Sequence, residues 1–128
     1  MRKNPDEAVL LTTITGRTRK QPMPTPVLFE ALRRPTSGHP RQWLTLQPGE
    51  QCPTVTPATE PREVVWTTVW PDLTGAVIRF VIETDGPGSQ LTWTLEIPDH
   101  PVADVRRATL TRRIDELVNR DLRLALGQ

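Results

Sequence analysis

An aspartate within an apolar helical stripe is the sharpest chemical feature of this sequence. Leu110, Ile114, Leu117, Val118, Leu124 and Ala125 recur with helical period, and Asp121 falls between Leu117 and Ala125 on one edge of that stripe. Unlike the other acids of the segment, it has no basic residue three or four positions away. A carboxyl group in an apolar pocket resists ionisation, and can serve as an acid or anchor a polar ligand group. A plainer reading stays open: Asp121 sits near a helix end and reaches solvent or a base from another element. Arg107 also projects toward the stripe, but Asp104 stands three residues before it as an ordinary partner.

The aromatic residues are the second candidate group. The chain has four tryptophans (Trp43, Trp66, Trp70 and Trp93), two phenylalanines (Phe29 and Phe80) and no tyrosine. Strand alternation puts Trp66, Phe80 and Trp93 on inward faces, where they line a ligand cavity or simply fill a core. Other chemistry has little support. His39 and His100 each precede a proline, far apart in sequence, and with the single Cys52 they do not make a zinc site. Cys52 and a histidine form a nucleophile pair only by tertiary coincidence. Gly86-Pro87-Gly88 reads as a hairpin turn and not a phosphate loop. No catalytic residue and no cofactor are indicated.

The elements that must position these residues follow from period and punctuation. Fourteen prolines forbid long helices before residue 101. Residues 8–19 read as a strand, and residues 26–35 as a short helix with Thr25 as N-cap and Pro26 at its first position. Residues 41–47 read as a strand; residues 50–61, with three prolines, read as an extended, irregular or edge segment. Residues 63–70 form the next strand, with Val64, Trp66, Thr68 and Trp70 on one face. Residues 76–97 are a hairpin. Ile78, Phe80, Ile82, Leu91, Trp93, Leu95 and Ile97 face the core, while Arg79, Glu83, Thr92, Thr94 and Glu96 face water. From 101 to 126 one amphipathic helix of about 35 Å crosses the domain. Arg106, Arg113, Arg120 and Arg123 lie away from the centre of its stripe. Helical spacing pairs Arg112 with Asp115 and Glu116, and Glu116 with Arg113 and Arg120. The class is α+β: an antiparallel sheet covered on one face by the last helix.

Composition bounds the setting. The 128 residues fit one domain, with residues 1–7 read as a flexible N-terminal segment. Sixteen basic and fifteen acidic residues give a net charge of +1, with no reason to expect a nucleic acid partner. Acids follow the N-terminal basic pair at once, so no signal peptide is expected, and no apolar run is long enough to span a bilayer. With one cysteine, a cytoplasmic setting is expected.

The order of elements resembles the START-like, or Bet v 1-like, helix-grip superfamily (SRPBCC), which includes polyketide cyclases and Hsp90-activator-like domains. Residues 26–35 are similar to its first helix, Gln42-Trp43-Leu44-Thr45-Leu46 to the next strand, and Glu63-Val64-Val65-Trp66 to a third element. Gly88-Ser89-Gln90-Leu91-Thr92-Trp93-Thr94-Leu95 and residues 112–123 resemble its hairpin strand and final helix. The resemblance covers nearly all of the chain, although members are usually longer. It implies a curved sheet gripping the C-terminal helix, with an apolar cavity between them for a lipid or polyketide-like molecule. It makes Trp66, Phe80, Trp93, Leu117 and Asp121 the expected lining. It also leaves open a cyclase or aromatase-like enzyme, a co-chaperone-like module with a filled core, and a homodimer.

Overall fold

The computed structural model describes residues 11–35, 44, 46–59, 63–98 and 102–125. Five strands form one antiparallel, curved sheet: β1 (Leu11–Gln21), β2 (Val55–Thr59), β3 (Glu63–Thr67), β4 (Val77–Asp85) and β5 (Gly88–Pro98). Their spatial order is β1-β5-β4-β3-β2, so β1 and β2 are the edges. β2 accepts Pro57 because an edge strand can lose a ladder donor. The expected strand at 41–47, with Trp43, falls largely outside the described residues, as do His39 and His100. Of that segment, Leu44 is buried and donates its backbone N–H to the Pro35 carbonyl at 3.2 Å.

The β4–β5 hairpin turns through Gly86 and Pro87, with Asp85 paired to Gly88. Gly86 has φ +58°, which a residue without a Cβ adopts freely. β3 is shorter than expected. It stops at Thr67 because the Thr68 hydroxyl donates to the Trp70 carbonyl at 2.9 Å and accepts from the Trp70 amide at 3.0 Å, folding the chain into a tight turn. Trp70 is therefore buried by that turn and not by continued strand alternation.

The short helix α1 (Thr25–Arg33) follows β1 and packs Leu28, Phe29, Ala31 and Leu32 inward. It starts one residue earlier than the Thr-Pro pattern suggests: Pro24 is the N-cap, and no side chain caps the helix. The C-terminal helix has three parts: α2 (Asp104–Glu116), a π-helical turn (Leu117–Asp121) and a last α turn, α3 (Leu122–Ala125). The π turn is marked by the Leu122 N–H donating to the carbonyl of Leu117, five residues back. No described helix is long and apolar enough to cross a membrane.

The core lies between the sheet, α1 and the C-terminal helix. It is built from Trp66, Ile78, Phe80, Leu91, Trp93 and Leu95 of the sheet with Leu110, Ile114, Leu117, Val118 and Leu122 of the helix. The opposite face is polar as expected. There Arg79 bonds Glu96 at 3.0 Å and lies 3.4 Å from Glu63, a cross-strand charge cluster.

Candidate functional site

The registers of β1, β3, β4 and β5 place the inward side chains in rows across the sheet. One row runs Val64, Phe80, Trp93, Arg17; the next runs Trp66, Ile78, Leu95, Thr15. A third joins Ile82, Leu91 and Arg19. Directly opposed residues project from the same side of a sheet. The inner face is thus apolar over β3, β4 and β5 and turns polar on reaching β1. Gly16 lets β1 come this close: a Cβ there would stand 2.7 Å from the Trp93 carbonyl oxygen.

The polar margin is a seam between β1 and the C-terminal helix. Residues 15, 17, 19 and 21 of the strand meet residues 111, 115, 119 and 123 of the helix. Two strand residues advance about 6.6 Å and four helical residues about 6 Å, so the two ladders stay in step. Thr111 gives its proton to the Arg107 carbonyl, so the 2.7 Å contact with Thr15 has Thr15 as donor. Asp115 accepts from both Arg17 and Arg19 at 3.3 Å and from the Asn119 amide at 2.6 Å. Gln21 donates to Asn119 at 2.9 Å and accepts from Arg123 at 2.8 Å. Asp115 is therefore engaged across the seam, and the expected Arg112 pairing with it is not among the ion pairs of the described residues. A surface groove of about 580 Å³ runs outside the seam, lined by Arg17, Arg107, Arg112, Asp104 and Asp115, whose charges nearly cancel.

The predicted site residues separate by how their polar atoms are used. Trp66, Phe80, Trp93 and Leu117 are all fully buried in the core. The Trp66 and Phe80 rings meet edge to face, with centroids 4.8 Å apart. The Trp66 indole donates to the Leu32 carbonyl at 2.7 Å, so this ring pins the C-terminal turn of α1. Trp93 is different. Its Nε1 is buried and has no acceptor among the described residues.

Asp121 also differs from expectation. In an unbroken α-helix it would stand one turn beyond Leu117 on the same face. The π turn inserts one residue, and the buried position falls instead to Leu122, at 0% exposure. Asp121 is half-buried, and its carboxylate takes a hydrogen bond from Arg120 at 3.0 Å, so it does have a partner, its chain neighbour. The side chains of Leu124 and Ala125 lie outside what is described.

A second buried polar constellation was not anticipated. Arg113, expected off the stripe, is buried and donates to Glu50 through Nε at 2.9 Å and Nη2 at 3.0 Å, and through Nη1 to Glu116 at 2.9 Å. Burial opposes ionisation of Glu50 and is the largest single influence on it. Hydrogen bonds from Arg113, the Gln47 amide and Trp70, with the charge of Arg113, together outweigh burial and hold the carboxyl below the ordinary glutamate value. Burial likewise opposes the charge of Arg113, and Glu50 and Glu116 overcome it, raising its pKa. The signal was present in the spacing: Arg113 stands three residues after Leu110 and four before Leu117, inside the stripe. Among the described residues no cluster of three metal-ligating side chains occurs, and Cys52 is exposed.

The fold has known counterparts. Over 88% of this chain and 96% of the other, it superposes on the solution structure of the Aha1 dimer from Colwellia psychrerythraea with a TM-score of 0.62 and 17% identity. It superposes on the crystal structure of Ara h 8.0201 over 92% of this chain and 99% of the other, with a TM-score of 0.60 and 10% identity. No family model matches the sequence, and no curated protein matches it. The chain thus has the helix-grip, Bet v 1-like fold: a curved antiparallel sheet around a C-terminal helix, with a short helix after the first strand.

Proposed function

We propose that this chain, read as one unit, binds a hydrophobic small molecule, lipid-like or polyketide-like, between the inner face of the sheet and the C-terminal helix. The observation that carries this reading is the composition of that face. From β3 to β5 its rows are apolar and aromatic, and charged groups begin only at Arg17 and Arg19 on the β1 margin. Such a wall with few polar groups suits capture of an apolar ligand. Phe80, Trp93 and Leu117 form its centre. Trp66 and Asp121 are assigned to its lining without a polar role, because their polar atoms already have partners.

The same observation disfavours a cyclase-like enzyme, which needs several titratable groups converging on one pocket. A co-chaperone-like module predicts a filled core, which the fully buried Trp66, Phe80, Trp93 and Leu117 match, together with a contiguous exposed apolar patch. Among the described residues the exposed large apolar side chains are Val27 and Val105, on different helices, which does not favour that reading. The decisive experiment is native mass spectrometry of protein purified from its own host, paired with displacement of an apolar fluorescent probe. A retained adduct and probe displacement are the expected results. Bare protein that takes up no probe would sink the reading.

A further inference from the structure

The indole donor of Trp66 is satisfied by the Leu32 carbonyl at 2.7 Å. Trp93 is 1% exposed, and its Nε1 has no acceptor among the described residues. Its surroundings explain why. Phe80 stands opposite it on β4, and Leu91 and Leu95 flank it on β5. Arg17 ends the row, but its guanidinium is turned to Asp115, and it offers donors only. A buried donor left without a partner is unfavourable and rare in a folded protein.

We infer that the Trp93 indole N–H is the specificity contact of the binding site, donating to an uncharged oxygen acceptor on an otherwise apolar ligand. This rests on the ligand-binding reading above and narrows it to a chemical class. An indole nitrogen only donates, so the ligand must present an acceptor: a carbonyl, ether or hydroxyl oxygen. The ligand group is neutral because the described residues beside Trp93 are apolar, and the Arg17 guanidinium at the end of the row is already engaged by Asp115. The rest of the ligand is apolar, to lie against Phe80 and Leu117. A pure hydrocarbon would leave the donor unmet and is selected against, as a site built to hydrogen-bond one group rejects the analogue lacking it.

The test uses the full chain labelled with ¹⁵N and two probes, a phenyl alkyl ketone and the alkylbenzene of the same length. The Trp93 indole resonance is assigned by its loss in Trp93→Phe. The ketone is expected to bind about tenfold more tightly than the alkylbenzene, the gap a single hydrogen bond supplies. It should also shift the Trp93 indole proton while leaving that of Trp66 in place, and the preference should vanish in Trp93→Phe. If both probes bind equally and the Trp93 resonance does not respond, the donor is met by a resident water and the inference is overturned, while ligand binding itself stands. If neither probe binds, both readings fall. If Trp93→Phe folds poorly, the resonance is assigned in the unsubstituted protein by its through-space contact with the Phe80 ring opposite it, and its response decides the matter.

Discussion

Arg113 holds Glu50 in a two-pronged grip, 2.9 and 3.0 Å, with both side chains at most 7% exposed. This joins the turn at residues 47–50 to the last turn of α2. Removing one partner of such a pair leaves a buried charge unmatched, whereas replacing both by apolar groups is often neutral. Glu50→Gln should therefore cost about 3 kcal/mol and lower the melting temperature by about 10 °C. Glu50→Leu combined with Arg113→Met should recover much of that loss. Urea denaturation of the natural chain and the two variants measures it.

The same pair sets an acid limit. The Glu50 carboxyl is held below its ordinary value in the fold. The unfolded chain therefore takes up its proton first as pH falls, and stability contributed by this group is complete well above about pH 4.3 and is lost as pH drops through the depressed value. Stability measured from pH 7 down to 3 should fall less steeply in the Glu50→Leu, Arg113→Met double variant than in the natural chain.

The two inward tryptophans should respond differently to the same substitution. Trp66→Phe strands the Leu32 carbonyl at the end of α1; Trp93→Phe removes a donor that had no partner. Both lose ring volume. Trp66→Phe should be the more destabilising by about 1–3 kcal/mol, the penalty of an unmet buried polar group. Hydrogen exchange should also quicken in α1 for Trp66→Phe alone.

Removing Asp121 altogether should be tolerated. The π turn holds one residue more than an α turn would, so a deletion there lets the helix close into regular α geometry with Leu122 still inward. The ion pair lost with it is a surface one between neighbours, worth at most about 1 kcal/mol. Deleting Arg112 instead would rotate all that follows by about 100°. Thermal melting should separate the two deletions by many degrees.

Much of this architecture was legible before any coordinates. Alternation in residues 76–97 located the hairpin and its inner face, because Ile78, Phe80, Ile82, Leu91, Trp93, Leu95 and Ile97 are all inward and apolar, while the outward residues other than Val77 and Val81 are polar. The stripe from Leu110 to Val118 placed the final helix. What escaped was non-local. Nothing near Glu50 shows that it will meet Arg113, 63 residues away. The π turn misled the reading of Asp121, since period counting assumes an unbroken α-helix. The missing partner of the Trp93 indole is a property of its surroundings, and no strand pattern reports which of two inward tryptophans finds a carbonyl.

The seam along β1 means that the C-terminal helix is fastened by two bonds of opposite temperament. Its inner face is held by apolar burial, which weakens on cooling and strengthens in kosmotropic salt. Its β1 side is held by Asp115 with Arg17 and Arg19, half-exposed ion pairs that added salt screens. Raising ionic strength with sulfate should therefore loosen one side of the helix while tightening the other. Asp115→Ala should abolish the salt-sensitive share, about 1 kcal/mol, and leave the sulfate-strengthened share intact. The solvent, and not the chain alone, sets the balance between the two sides of the helix.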